Sequence, residues 1–145
     1  MTQYVEEPDH LALAERHLLE LRGFAVKLNE LSGCGKDDFL QGSELQSVAE
    51  RNLHGALEAA MAAGSHALMR LDVDLPNRYA QIFTALAAHG VISSQLADKV
   101  RDLEEVHDIL VHGAITWEAV FEQLSTGPLF LEYAHQLAKF LEINL

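Results

Sequence analysis

Cysteine occurs once, at Cys34, and proline three times, at positions 8, 76 and 128. A lone thiol excludes an internal disulfide and a cysteine-built zinc site within one chain, and makes redox chemistry unexpected. So few prolines leave long stretches free to run as helix. No uninterrupted apolar stretch approaches the ~18 to 20 residues of a bilayer span, because glycine, histidine or charged residues interrupt every candidate. The opening Met1-Thr2-Gln3-Tyr4-Val5-Glu6-Glu7-Pro8-Asp9 lacks the basic-then-apolar order of a secretory signal. The expectation is a cytoplasmic protein without membrane contact. Positive charge is also scarce: 10 Lys and Arg stand against 22 Asp and Glu, for a net charge of -12. Nucleic-acid backbones are held mainly by Lys and Arg. Strong, sequence-independent nucleic-acid binding by the isolated chain is therefore disfavoured, while an acidic surface suits a basic protein partner. Gly-rich phosphate loops, a Ser-His-Asp order and a helix-turn-helix signature are all missing, so no nucleotide cofactor is expected.

What is present is helical patterning over a length, 145 residues, suited to one domain spanning 1-145. Apolar residues recur at three- and four-residue steps, the spacing of one helix face. The first stripe, Leu11, Ala14, Leu18, Leu21, Ala25 and Leu28, ends at Ser32-Gly33-Cys34-Gly35. A long central helix from about Ser43 to Leu71 carries Leu45, Ala49, Leu53, Ala56, Ala60, Ala63, Ala67 and Leu71, and its alanines with Gly64 allow a neighbour to approach closely. Asp72-Val73-Asp74-Leu75-Pro76 reads as a connector. A short helix follows, with Tyr79, Ile82, Phe83 and Leu86 inward and Gly90 at its end. Ser93 or Ser94 caps a fourth helix striped by Leu96, Val100, Leu103, Val106, His107 and Leu110, which stops near His112-Gly113. The last helical region runs from about Thr116 to Ile143, kinked or restarted at Gly127-Pro128. The fold class is all-α, an up-and-down bundle of four to five helices.

Several segments resemble HepT-type members of the HEPN family. Leu75-Pro76-Asn77-Arg78-Tyr79-Ala80-Gln81-Ile82-Phe83, then Leu86 and His89-Gly90-Val91-Ile92-Ser93, resembles the middle of those sequences. Val48-Ala49-Glu50-Arg51-Asn52-Leu53 is similar to their Val-x-Glu-Arg-x-Leu, and Ile109-Leu110-Val111-His112 to their Arg-Leu-Val-His. The similarity extends from about 45 to 141. It implies a HEPN-like bundle that forms a homodimer, partners a minimal nucleotidyltransferase in a toxin–antitoxin pair, and cleaves RNA without a metal. In that chemistry a His moves protons for attack by the ribose 2′-hydroxyl, and an Arg holds the charge that grows on the phosphorus oxygens. Many relatives also carry a Tyr two positions after the His, which the partner modifies with AMP.

The chain departs from this pattern at two positions. With His112 as the motif His, His107 stands where Arg is expected and Ala114 where Tyr is expected; Asp108 fills the polar position between. Imidazole lacks the permanent charge and flat donor fork of guanidinium. Arg101 lies eleven residues from His112, ~16 Å along a helix, too far to substitute within one chain. Ala114 has no hydroxyl to modify. The candidate catalytic set is His107, Asp108 and His112, with the two histidines as an acid–base pair and Asp108 orienting or pairing with His112. The bland alternative makes His107 a core residue and His112 a helix-terminal one, Arg101 with Glu105 a surface ion pair, and the protein a non-catalytic docking or substrate-binding subunit of a nucleotidyltransferase. His17, His54, His10, His66 and His89 read as structural. Glu104-x-x-His107 and Glu132-x-x-His135 match the Glu-x-x-His of di-iron bundles. However, Phe130, Tyr133, Ala134, Leu137 and Leu141 face inward, which leaves Glu132, His135, Gln136 and Lys139 on the wet face where a bundle cannot enclose a metal. No metal or other cofactor is expected.

Overall fold

The computed structural model describes residues 9–78 and 81–145. Helix α1 (His10–Leu31) starts where the Asp9 carboxylate accepts the Ala12 amide, an N-cap that satisfies one of the first turn's free donors. Its expected stripe is buried from Ala14 to Leu28. A short helix not expected from the sequence, α2 (Lys36–Gln41), follows at once. It buries Phe39 and is tied to the next helix by the Gln46 side chain, whose amide donates to the Phe39 and Leu40 carbonyls at 3.1 and 3.0 Å. With a single deeply buried apolar residue, α2 is too short to display a periodic face.

Helix α3 (Ser43–Arg70) is the central element and touches every other α-helix. Its small residues permit this. A Cβ on Gly64 would sit 2.7 Å from the Tyr133 hydroxyl and 2.8 Å from Leu86 Cδ1. Close approach there lets Tyr133 donate its hydroxyl to the Ala60 carbonyl at 2.7 Å. Leu71, expected on the stripe, lies beyond the helix end and is exposed.

The connector leads to α4 (Ile82–Ala88), with Ile82, Phe83 and Leu86 buried as expected. The inward position expected for Tyr79 lies outside the described residues. Ser93 caps α5 (Ser94–Val111), its hydroxyl accepting the Leu96 amide at 3.0 Å. Helix α6 (Trp117–Gln123) passes through a 3-10 turn, Leu124–Thr126, into α7 (Gly127–Leu141). Pro128 therefore restarts the last helix, sitting in the first turn where its missing N–H is no loss. Gly127 is needed because α1 runs against it: a Cβ there would meet the Ala25 carbonyl oxygen at 2.7 Å. Among the described residues the protein is an all-helical bundle, with α1, α3, α5 and α7 as its long members and no strand. No described helix is long and apolar enough to cross a membrane.

Candidate functional site

Helix α5 carries all three residues singled out by the motif, and it presents them differently. Its buried face is Leu96, Ala97, Val100, Leu103, His107 and Leu110, which places His107 among the apolar positions. His107 is only 7% exposed. A buried imidazole needs partners, and Nε2 of His107 has one 2.7 Å away in Glu58 Oε1 on α3. One turn earlier on α3, His54 Nε2 reaches the same carboxylate oxygen at 3.3 Å. Burial alone would raise the Glu58 carboxyl, but hydrogen bonds to and charge from His107, and then from His54, outweigh it and hold the group below its ordinary value. Glu58 is thus a carboxylate gripped by two imidazoles from two helices.

His112 occupies the other environment. It is the C-cap of α5 and is exposed. The helix ends there because Gly113 adopts φ 69°, a left-handed conformation that costs glycine little, and the Ala114 amide returns to the Ile109 carbonyl at 3.1 Å. His112 Nδ1 lies 2.7 Å from the Asp108 carbonyl oxygen. A carbonyl only accepts, so Nδ1 carries the proton and Nε2 of the neutral ring keeps its lone pair facing outward from the cap. Asp108 therefore orients His112 through its backbone, and its own side chain is exposed. His107 and His112 are five residues apart, roughly 140° around the helix, and within one subunit they lie on different faces, one buried and one exposed.

A second acid on α5 stands out. Glu104 is half-buried, with Oε1 sealed from solvent and without a hydrogen-bond partner among the described residues. Burial, then repulsion from Asp108 one turn on, pushes its carboxyl up to about 7 against the opposing pull of Arg101 and the Thr84 and Phe83 amides. Arg101 itself pairs with Asp98 at 3.3 Å, rather than with Glu105 as expected, and both side chains are well exposed. Ala114 is exposed just beyond the cap.

The remaining histidines divide as follows. His10 Nδ1 and His66 Nδ1 are 3.0 Å apart, and the His17 ring stacks on His66 with centroids 5.6 Å apart. Burial, then the charges of His17, His10 and Arg16, lower His66. Glu132 and His135 are exposed, as expected of the wet face of α7, and Glu132 accepts the Gln136 side-chain amide at 3.0 Å. Sequence reasoning missed Glu58 and treated His54 as structural. The available signal was their four-residue separation, which puts both on one side of α3, but nothing local to α3 shows that His107 arrives opposite them.

Comparison with known proteins agrees with this architecture. A family model described as ribonuclease HepT-like matches residues 16–137. No curated protein matches the sequence. Among solved structures, a mutant MntA-HpeT toxin–antitoxin superposes with a TM-score of 0.78 at 19% identity, covering 88% of this chain and 98% of that one. A tri-AMPylated Shewanella oneidensis HEPN toxin in complex with an MNT antitoxin gives 0.76 at 18% identity, covering 92% and 99%. The cytosolic protein YutE of Bacillus subtilis gives 0.71 at 16% identity, covering 88% and 90%. At such identities the superpositions speak to the fold alone, whereas the family match covers most of the chain. The chain belongs to the HepT-like ribonuclease family.

Proposed function

We propose that this protein is the helical toxin subunit of a two-component pair, acting on RNA as a homodimer and restrained by a nucleotidyltransferase partner. The observation that carries the catalytic part is the His112 tautomer: with Nδ1 donating to the Asp108 carbonyl at 2.7 Å, Nε2 is left as a base on an exposed ring. In the proposed reaction Nε2 takes the ribose 2′-hydroxyl proton as that oxygen attacks phosphorus. The phosphorus–O5′ bond breaks, and a protonated His112 from the second subunit supplies the proton to the leaving oxygen, giving a 2′,3′-cyclic phosphate and a 5′-hydroxyl. Ile109, Val111 and Trp117, which flank His112 in sequence, are exposed apolar side chains, and Val111 is 55% exposed. Surface of that kind is what a second copy would cover. The acidic chain, at -12, suits a basic partner protein. With Ala114 at the position expected for the modified Tyr, restraint by the partner works through binding, or through modification elsewhere.

The burial of His107 against Glu58 supports the second reading, a docking subunit without catalysis, because a ring enclosed in this way is not presented to a phosphodiester. Incubating purified protein with RNA, wild type beside His112→Ala, separates the two readings. The catalytic one expects the variant to lose about a hundredfold or more, the scale of general acid–base catalysis. Equal cleavage by both, or none by either, removes it.

A further inference from the structure

The grip of two imidazoles on Glu58 is also a ligand set. His54, Glu58 and His107 come from two helices, and each offers a donor atom within 4.8 Å of the other two; at Glu58 Oε1 the neighbours are His107 Nε2 and His54 Nε2. We propose that His54, Glu58 and His107 bind a divalent transition-metal ion, zinc or cobalt, in a site of two nitrogens and one carboxylate oxygen.

The geometry is close to what such an ion needs. With bonds of about 2.0 to 2.1 Å, tetrahedral ligands lie about 3.3 Å from one another. Of the present contacts at Glu58, the 3.3 Å one from His54 matches that spacing and the 2.7 Å one from His107 falls short of it, so the Glu58 carboxylate and the His107 ring would part slightly to admit an ion. Four-residue spacing holds His54 and Glu58 on one side of α3, and burial of His107 fixes the third donor from α5. Imidazole nitrogens with one carboxylate select zinc-like ions over magnesium or calcium, which take oxygen ligands. Coordination needs the lone pair of each imidazole nitrogen, so a proton held there must leave or move to the other ring nitrogen and uptake of the ion should strengthen as pH rises. Glu58 also lines a cleft of about 410 Å³ with Ala62, Ser65 and His66, which leaves an approach for water or another fourth ligand.

The site differs from the di-iron pattern of Glu104-x-x-His107 and Glu132-x-x-His135, sharing only His107 with it. Its consequence, unlike the binding itself, rests on the ribonuclease reading. A dication held by one carboxylate and two neutral imidazoles carries one net positive charge, at the position where the family resemblance expects an arginine.

The probe is cobalt. Titrating the apo full-length protein with Co²⁺ and then Zn²⁺, by visible absorption and calorimetry, should show one ion per chain and visible bands of cobalt bound to nitrogen and oxygen. His54→Ala and Glu58→Gln, both at exposed positions, should each weaken binding at least tenfold, with folding checked by circular dichroism. His135→Ala, on the exposed face of α7, should leave it unchanged. Absence of cobalt bands in the wild type, or binding lost in His135→Ala and retained in Glu58→Gln, overturns the proposal. Cobalt binding without RNA cleavage strikes the ribonuclease reading and leaves the metal site standing; cleavage without cobalt binding does the reverse.

Discussion

Replacing Glu104 by Gln should make the protein more stable at pH 8 while leaving its stability at pH 4 nearly unchanged. The folded protein raises this carboxyl from 4.5 to about 7, through burial and the repulsion of Asp108. A raised acid binds its proton more tightly in the native state than in the unfolded chain. Its contribution is fully present below the unfolded value and is lost as pH climbs through the folded one, so wild-type stability should fall between about pH 4.5 and pH 7 on this account. Taken at face value the shift corresponds to roughly 3 kcal/mol. Glu104 is only half-buried, and screening by solvent cuts this to about 1 kcal/mol. In a domain of this size that is a difference of about 3 °C in Tm. Glutamine keeps a carbonyl oxygen for the Thr84 and Phe83 amides and has no charge to desolvate. Differential scanning calorimetry of both proteins at pH 4 and pH 8 measures the effect, since the other titrating groups, Glu58 and His66 among them, cancel in the comparison. A variant less stable than wild type at pH 8, or one whose advantage is the same at both pH values, refutes the reasoning.

Gly127→Ala should destabilise by about 2 kcal/mol or more, because the new Cβ meets a backbone oxygen, that of Ala25, which cannot rotate away; chemical denaturation reads this as a lower midpoint. Tyr133→Phe should cost about 1 to 2 kcal/mol by deleting the hydroxyl given to Ala60 in a fully buried site, and unchanged stability would show that the bond carries no net weight. Ser93→Ala should cost about 1 kcal/mol of stability through loss of the α5 cap, read as a lower Tm with secondary structure intact by circular dichroism.

The long helices were legible because each shows its buried face at helical spacing. Ala14 to Leu28 on α1 and Leu96 to Leu110 on α5 needed only periodicity, and Ser93 announced where α5 begins. Helix α2 was not legible, since Phe39 is its one buried residue and a single position has no period. At the site, sequence order identified His107 and His112 and their place on α5, and the apolar stripe already contained His107. It could not supply Glu58. The 2.7 Å contact joins residues 49 positions apart, and depends on α3 and α5 packing together. Asp108 shows a subtler limit: its role as a neighbour of His112 was readable, but the contact runs through its carbonyl rather than its carboxylate, which follows from the cap geometry and not from residue type.

If two copies of His112 act together across a two-fold seam, RNA cleavage per chain should depend on protein concentration. Cleavage measured over a dilution series, with the dimer fraction followed by native mass spectrometry, should track the dimer and vanish with it. A monomer that cleaves at the full rate per chain would rule out the shared site.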